Sequence, residues 1–368
     1  MVSVMQANSK LGWDILKKLY DDDGDLLAGG KTLSPLSLTI AVGMLAGAAD
    51  TTKKRDLSTK LGVQPDGTVE NEFAMLLSSL AVDKTGSPLA IANGVFTDES
   101  ITLYQKYVDF LTTFKASITQ YPSLPAAVDD INAWISDNTL QLIQEMLSKG
   151  VLKSTHVVLV NAIAFKGMWI EPFNPSETKN HPFYATERHK VSVKMMFRHD
   201  AAVLSFNAPT FTALCLPYKS ATITSATSLI AFLPNNGVNL RTALDDISST
   251  EITLARFSKI EYRRFGFPRF ELRSDLSVLD VLQSLGYPVK GSYSQMGTGG
   301  NRVDKVLHRA VVKVDEEGTV AAAATAVLMT RRVMRQTKPD LIFDRPFAFT
   351  IVENKTNMVL FMGIFSVQ

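Results

Sequence analysis

The feature that most constrains the fold is a change of texture near residue 155. Before it, apolar residues recur at helical spacing: Leu11, Ile15, Leu16 and Leu19 share one face, with Asp14, Lys17 and Lys18 off it. "SPLSLTIAVGMLAGAA" reads as a helix from about Ser34-Pro35, with serine as cap and proline in the first turn. "AAVDDINAWISDNTLQLIQEML" reads as another helical region, with Ile131, Trp134 and Ile135 on one side. After residue 155 come short apolar or alternating runs bounded by turn residues, among them "THVVLVNAIAFKGMW", "TALCLPY", "SLIAFLP", "FAFTIVE" and "NMVLFMGIFSV". Ser274 to Gly286 interrupts them as a capped helix. The pattern predicts a mixed helix-and-strand domain, helix-rich first. With no repeat of 20–50 residues and no linker composition, one domain over 1–368 is expected.

Several chemistries are disfavoured. A net charge of +2 gives no case for nucleic acid as a partner. No apolar run reaches the ~18 residues of a membrane span, so no membrane partner is expected. One cysteine, Cys215, excludes an intramolecular disulfide, and its apolar surroundings in "TALCLPY" predict a buried, inert thiol. "GDLLAGGKT" has Asp25 where a phosphate-binding loop needs its first glycine. "DDDGD" would need Leu19 as a calcium ligand, which it cannot be. The five histidines lack metal spacing, and "GTGG" at 297–300 reads as a flexible turn. No cofactor is expected. Met1 to Tyr20 lacks the regions of a secretion signal, so a cytoplasmic protein is expected, or a secreted one if a leader was removed.

"DEEGTVAAAATAVLMTRRVMR", Asp315 to Arg335, suits no ordinary element. Its alanines favour helix but carry no stripe at a 3.6-residue period, and a buried strand usually has bulkier side chains.

Blocks in order along the chain resemble the serpin family. They are "SPLSLTIAVGMLAGAADTTKKRDLSTKLG", "INAWISDNT", "LVNAIAFKGMW", "LPY", "FPRFEL", "VLHRAVVKVDEEGTVAAAATA", "FDRPFAFTI" and "LFMGIF". The resemblance implies an α+β serpin fold: three β-sheets, eight or nine helices and an exposed reactive-centre loop near the C-terminus, at about 316–336. The sequence departs from the family at Ala348, where a bulkier apolar residue is usual, at Gln141, where glycine is common, and over 292–302.

In an inhibitory serpin that loop is attacked by a protease and then enters a sheet as a new strand. Read this way, Glu316, Glu317, Gly318, Thr319, Val320, Ala321, Ala322, Ala323, Ala324 and Thr325 form the hinge. Alternate residues from Thr319 would lie beneath the sheet, and the first four, Thr319, Ala321, Ala323 and Thr325, are small. Gly318 supplies flexibility. Val320 departs from a frequent glutamate but would face outward. Neither proline nor charge lies between Thr319 and Thr330, so every amide can pair.

Family loop length counts seventeen residues from Glu316 to the residue before the cut, which gives the bond Arg332–Val333. Thr330, Arg331 and Arg335 flank it. Arginine there implies a trypsin-like serine protease as covalent partner. "RVMR" allows a second register, cleaved after Arg335 by a furin-like convertase. A non-inhibitory carrier or chaperone of the same fold is the other alternative. Residue by residue, the resemblance assigns Ser34, Ser37, Asn161 and His308 to the shutter beneath the sheet. It assigns Trp169, Arg269 and Glu316 to the breach, with Arg269 and Glu316 paired. It implies a monomer able to polymerise by loop–sheet exchange, and no catalytic residues.

Overall fold

The computed structural model describes residues 3–22, 29–64, 67–80, 88–186, 188–220, 226–299, 302–318 and 338–367. The helix-rich front contains α1 (Val4–Asp22), β1 (Lys31–Leu33), α2 (Pro35–Ala48), α3 (Thr51–Lys60), α4 (Val69–Ser79), β2 (Leu89–Asp98), β3 (Thr102–Leu103), α5 (Gln105–Thr112), β4 (Ser117–Tyr121) and α6 (Val128–Asn138). The strand-rich remainder contains β5 (Val157–Phe165), β6 (Thr178–Tyr184), β7 (Lys190–Asn207), β8 (Phe211–Pro217), β9 (Thr227–Pro234), α7 (Leu240–Ser249), β10 (Ser258–Pro268) and β11 (Phe270–Ser277). It ends with α8 (Val278–Ser284), β12 (Gly297–Thr298), β13 (Lys305–Val314), β14 (Asp340–Ile342), β15 (Phe347–Glu353) and β16 (Met358–Phe365).

The strands make three sheets among the described residues. A nine-stranded sheet runs β1-β16-β15-β9-β8-β7-β10-β14, with β6 paired to β7; a five-stranded sheet runs β11-β13-β5-β2-β4; β12 pairs with β3. With eight α-helices described, the architecture is α+β.

Helix α2 is the hub. Apart from Ser37 and Thr39 its residues are apolar on every face, and all but Gly47 are buried, as expected of a helix with no solvent face. Ser34 caps it, accepting from the Ser37 amide at 3.1 Å, with Pro35 in the first turn. Helix α2 packs against β16 of the larger sheet and β5 and β13 of the smaller one. Every residue of β5 is buried, which explains its nearly continuous apolar run.

Three local expectations are corrected. The helix of Ser274 to Gly286 starts only at Val278, because Ser274–Ser277 complete β11 in register with β13. Gly297–Thr298 are not a flexible turn but pair with Thr102–Leu103. The helical region after residue 126 stops at Asn138, and Leu140 and Gln141 then take φ of 55° and 56°. Left-handed backbone in two successive non-glycine residues cannot continue a right-handed helix.

Candidate functional site: a strand seam and the turn at its end

β5 and β13 are parallel and directly paired, from Lys305↔Val158 to Val311↔Ala164. His308 stands opposite Asn161, and Asn161 opposite Asn93 on β2, so three buried polar residues stand in one row across β13, β5 and β2. The His308 ring is buried and meets the start of α2. The Ser34 amide donates to Nε2 at 3.2 Å, and Ser37 Oγ lies 3.0 Å from Nδ1. A backbone N–H can only donate, so Nε2 is unprotonated and Nδ1 carries the hydrogen. Burial pushes the imidazole down to about 4; its hydrogen bond with the Asn161 backbone and the charge of Asp275 oppose this. Ser34 Oγ in turn donates to the Leu360 carbonyl at 2.5 Å, tying the network to β16.

Ser34, Ser37 and His308 therefore form one network. Asn161 joins them through the strand register, while its side chain turns to β2, Nδ2 donating to Asn93 Oδ1 at 2.5 Å. Asn93 Nδ2 donates to the Phe114 carbonyl at 2.8 Å. Asn93 is a member that sequence reasoning missed, since "IANGVF" gives no local sign that its asparagine faces another.

At the end of β13 the chain reverses tightly. The Asp315 amide donates to the Gly318 carbonyl at 2.8 Å, and Asp315 Oδ1 accepts from the amides of Glu317 and Gly318 at 3.1 and 3.2 Å. Trp169 holds this turn twice: its indole N–H donates to the Asp315 carbonyl at 3.0 Å, and its amide to the Glu317 carbonyl at 2.8 Å. The indole stacks on Tyr218 at 4.4 Å and 15°. Phe173 N donates to the Glu316 carbonyl at 2.7 Å. Glu316 Oε1 accepts from Thr178 Oγ1 at 2.6 Å, and Oε2 lies 3.6 Å from Arg269 Nη1. Trp169, Arg269 and Glu316 thus meet at one turn. Asp315, Thr178 and Tyr218 were missed, because they act through backbone geometry and stacking that no motif spells out.

Packing requires glycine at position 318. Gly318 bridges to Met168 with φ of +148°, and a Cβ there would stand 2.1 Å from the Gly167 carbonyl oxygen. Only glycine allows that approach.

Thr319, Val320, Ala321, Ala322, Ala323, Ala324, Thr325, Thr330, Arg331, Arg332, Val333 and Arg335 lie outside the described residues. The chain is described again at residue 338. There Asp340, opening β14 beside β10, is gripped by Arg263 at 2.9 and 2.7 Å and by Arg264 at 3.1 and 2.8 Å. Cys215 is buried, and burial raises its thiol to about 11, so it is no nucleophile at neutral pH.

The family model for Serpin (serine protease inhibitor) matches residues 6–367. Wheat Serpin-Z1C is 31% identical, over 91% of this chain and 89% of its own length. The native stressed conformation of an Arabidopsis serpin, AtSerpin1, superposes with a TM-score of 0.84 at 24% identity, over 98% of this chain and 97% of that one. Human thyroxine-binding globulin complexed with thyroxine superposes with a TM-score of 0.83 at 22% identity, over 98% and 97%. The chain belongs to the serpin family. Members of a serine protease inhibitor family and a thyroxine-binding globulin share this fold, so fold alone does not assign the activity.

Proposed function

We propose that the protein is an irreversible, single-use inhibitor of a trypsin-like serine protease, cleaved at Arg332–Val333. The observation that carries this reading is the β5–β13 pairing, which ends at the Asp315–Gly318 turn. A strand that re-enters the seam from that turn runs antiparallel to both neighbours. It replaces one parallel ladder by two antiparallel ones, which are slightly more stable per residue. A dozen new ladder bonds at roughly 0.5–1.5 kcal/mol each amount to on the order of ten kcal/mol, comparable to a whole domain's stability. The uninserted state is then a kinetic trap.

In the reaction the protease serine Oγ attacks the Arg332 carbonyl carbon, the bond to the Val333 nitrogen breaks, and an acyl-enzyme forms. The small residues from Thr319 to Thr325 enter the seam, and the tethered protease is carried away from the geometry that deacylation needs. Ser34, Ser37, Asn161 and His308 set the resistance of the seam to opening; Trp169, Arg269 and Glu316 set when entry begins. This chain contributes the bond, the arginine and the strand, and the protease supplies the catalysis.

The test is to mix the full chain with trypsin and look for a complex that survives boiling in detergent. Such a complex, with Val333 as the new N-terminus, is expected. Cleavage without a complex and without a rise in thermal stability would overturn inhibition in favour of a carrier or chaperone. Gln336 as the new N-terminus would move the reactive bond to Arg335 and the target to a furin-like convertase.

A further inference from the structure

Beside the Trp169 turn lies a cavity of about 190 Å3 that the inhibitory reading does not use. It exists because β7 and β8 pair only between Leu204↔Cys215 and Asn207↔Thr212. Beyond Leu204, β7 follows β10 while β8 stays with β9, and the two strands part. Val203, Leu204, Leu216 and Pro217 line the wedge, with Trp169 and Ile170 at one end.

Two cations border this apolar space, Arg198 and Lys259. The Arg198 guanidinium lies 4.1 Å over the Phe173 ring, and its Nη2 donates to the Glu171 carbonyl. Its Nε is buried with no hydrogen-bond partner among the described residues. Lys259 is exposed and forms no ion pair with a described residue. The lone carboxylate of the lining, Glu171, is 3.6 Å from Arg198 Nη1 and 65% exposed, so it only partly neutralises the pair. An apolar wedge with two cations and one solvated carboxylate selects a ligand that is apolar at one end and carries one negative charge at the other.

Size narrows the choice. A dry apolar cavity of about 150 Å3 holds a benzene molecule, so about 190 Å3 accommodates one ring with a small anionic group. A rigid ring also loses less freedom on binding than a flexible chain of the same volume. We infer that this cavity is a binding site for a small aromatic monocarboxylate, its ring among Val203, Leu204, Leu216 and Pro217 and its carboxylate toward Arg198 and Lys259.

The test is direct binding to the full chain, independent of any protease. Benzoate and its uncharged counterpart benzamide are titrated by calorimetry and by ligand-observed NMR. Saturable benzoate binding at least fivefold tighter than benzamide is expected. Lys259→Glu should weaken benzoate at least fivefold and leave benzamide within twofold. Ala202→Phe, at an exposed lining position, should fill the wedge and abolish both. Both positions are exposed, and an unchanged thermal midpoint shows that each variant is folded. Absence of saturable binding, benzamide binding as tightly as benzoate, or benzoate affinity unchanged in either variant would each overturn the site.

Discussion

The Ser34 amide and His308 Nε2 meet at 3.2 Å across 274 positions of sequence, and this bond leaves Nε2 without a proton. A protonated Nε2 would face an N–H that it cannot accept from, so the folded protein holds the ring neutral. The pKa falls from the ordinary 6.5 to about 4, with burial as the main cause. Between those values the unfolded chain binds a proton that the folded chain does not. Stability is therefore full above about pH 6.5 and is lost as pH falls toward 4, by about 3 kcal/mol in total. Urea midpoints measured from pH 7 to 4 should show this fall. His308→Gln, which does not titrate, should flatten it, and an unchanged slope in that variant would remove the histidine from the account.

Glu316 holds two partners, Thr178 and Arg269, whereas Arg269 is half exposed and 3.6 Å away. Reversing Arg269 to glutamate should cost about 1 kcal/mol or less, as for other exposed pairs. Glu316→Arg should cost more, about 2–3 kcal/mol, because it also strands the Thr178 hydroxyl. Either reversal should raise the fraction that polymerises or inserts prematurely, read by native gels and thermal unfolding. Unchanged monomer content and stability in both would show that the pair does not guard the turn.

Gly318→Ala puts a methyl group 2.1 Å from the Gly167 carbonyl oxygen. The turn must shift, and the Met168 bridge with it. Hydrogen exchange at the Trp169 amide, which donates to Glu317 O, should accelerate at least tenfold relative to the amides of β15. Equal protection in variant and parent would mean that the turn has room that the structure does not contain.

Gln141 holds φ of 56° on an exposed segment. Gln141→Gly removes a left-handed strain of about 1–2 kcal/mol, partly offset by glycine's greater freedom when unfolded. A net gain of about 0.5–1 kcal/mol, seen as a thermal midpoint roughly 1–2 °C higher, is expected. A lower midpoint would show that the glutamine side chain contributes something that its backbone strain conceals.

Thr319 is the first residue that would lie beneath the sheet on insertion. Arginine there must bury a charge in an apolar seam, which costs several kcal/mol. Thr319→Arg should therefore turn inhibitor into substrate: trypsin still cuts the loop, but the detergent-stable complex is lost and the protease is released. Retained complex formation would show that the strand does not enter at this position.

Local chemistry alone determined much of this. The serine cap and proline start of α2, the nearly continuous apolar run of β5, the alternating strands after residue 155 and the inert surroundings of Cys215 follow from neighbours within a few residues. The small, uncharged run from Thr319 to Thr325 marked a segment unlike any ordinary element, and the ordered family blocks located Ser34, Asn161, Trp169 and His308. The tertiary structure decided which of these meet. Ser34 reaches His308 because α2 begins against the β5–β13 seam. Asn161 reaches Asn93 because β2 pairs antiparallel with β5 in that register. The need for glycine at 318 comes from Gly167, 151 positions earlier, and the cavity beside Trp169 comes from two strands choosing different partners. Periodicity and capping are properties of adjacent residues. Hydrogen-bond partners, close approaches and cavities depend on how distant segments stack, which is fixed by the packing of the whole core.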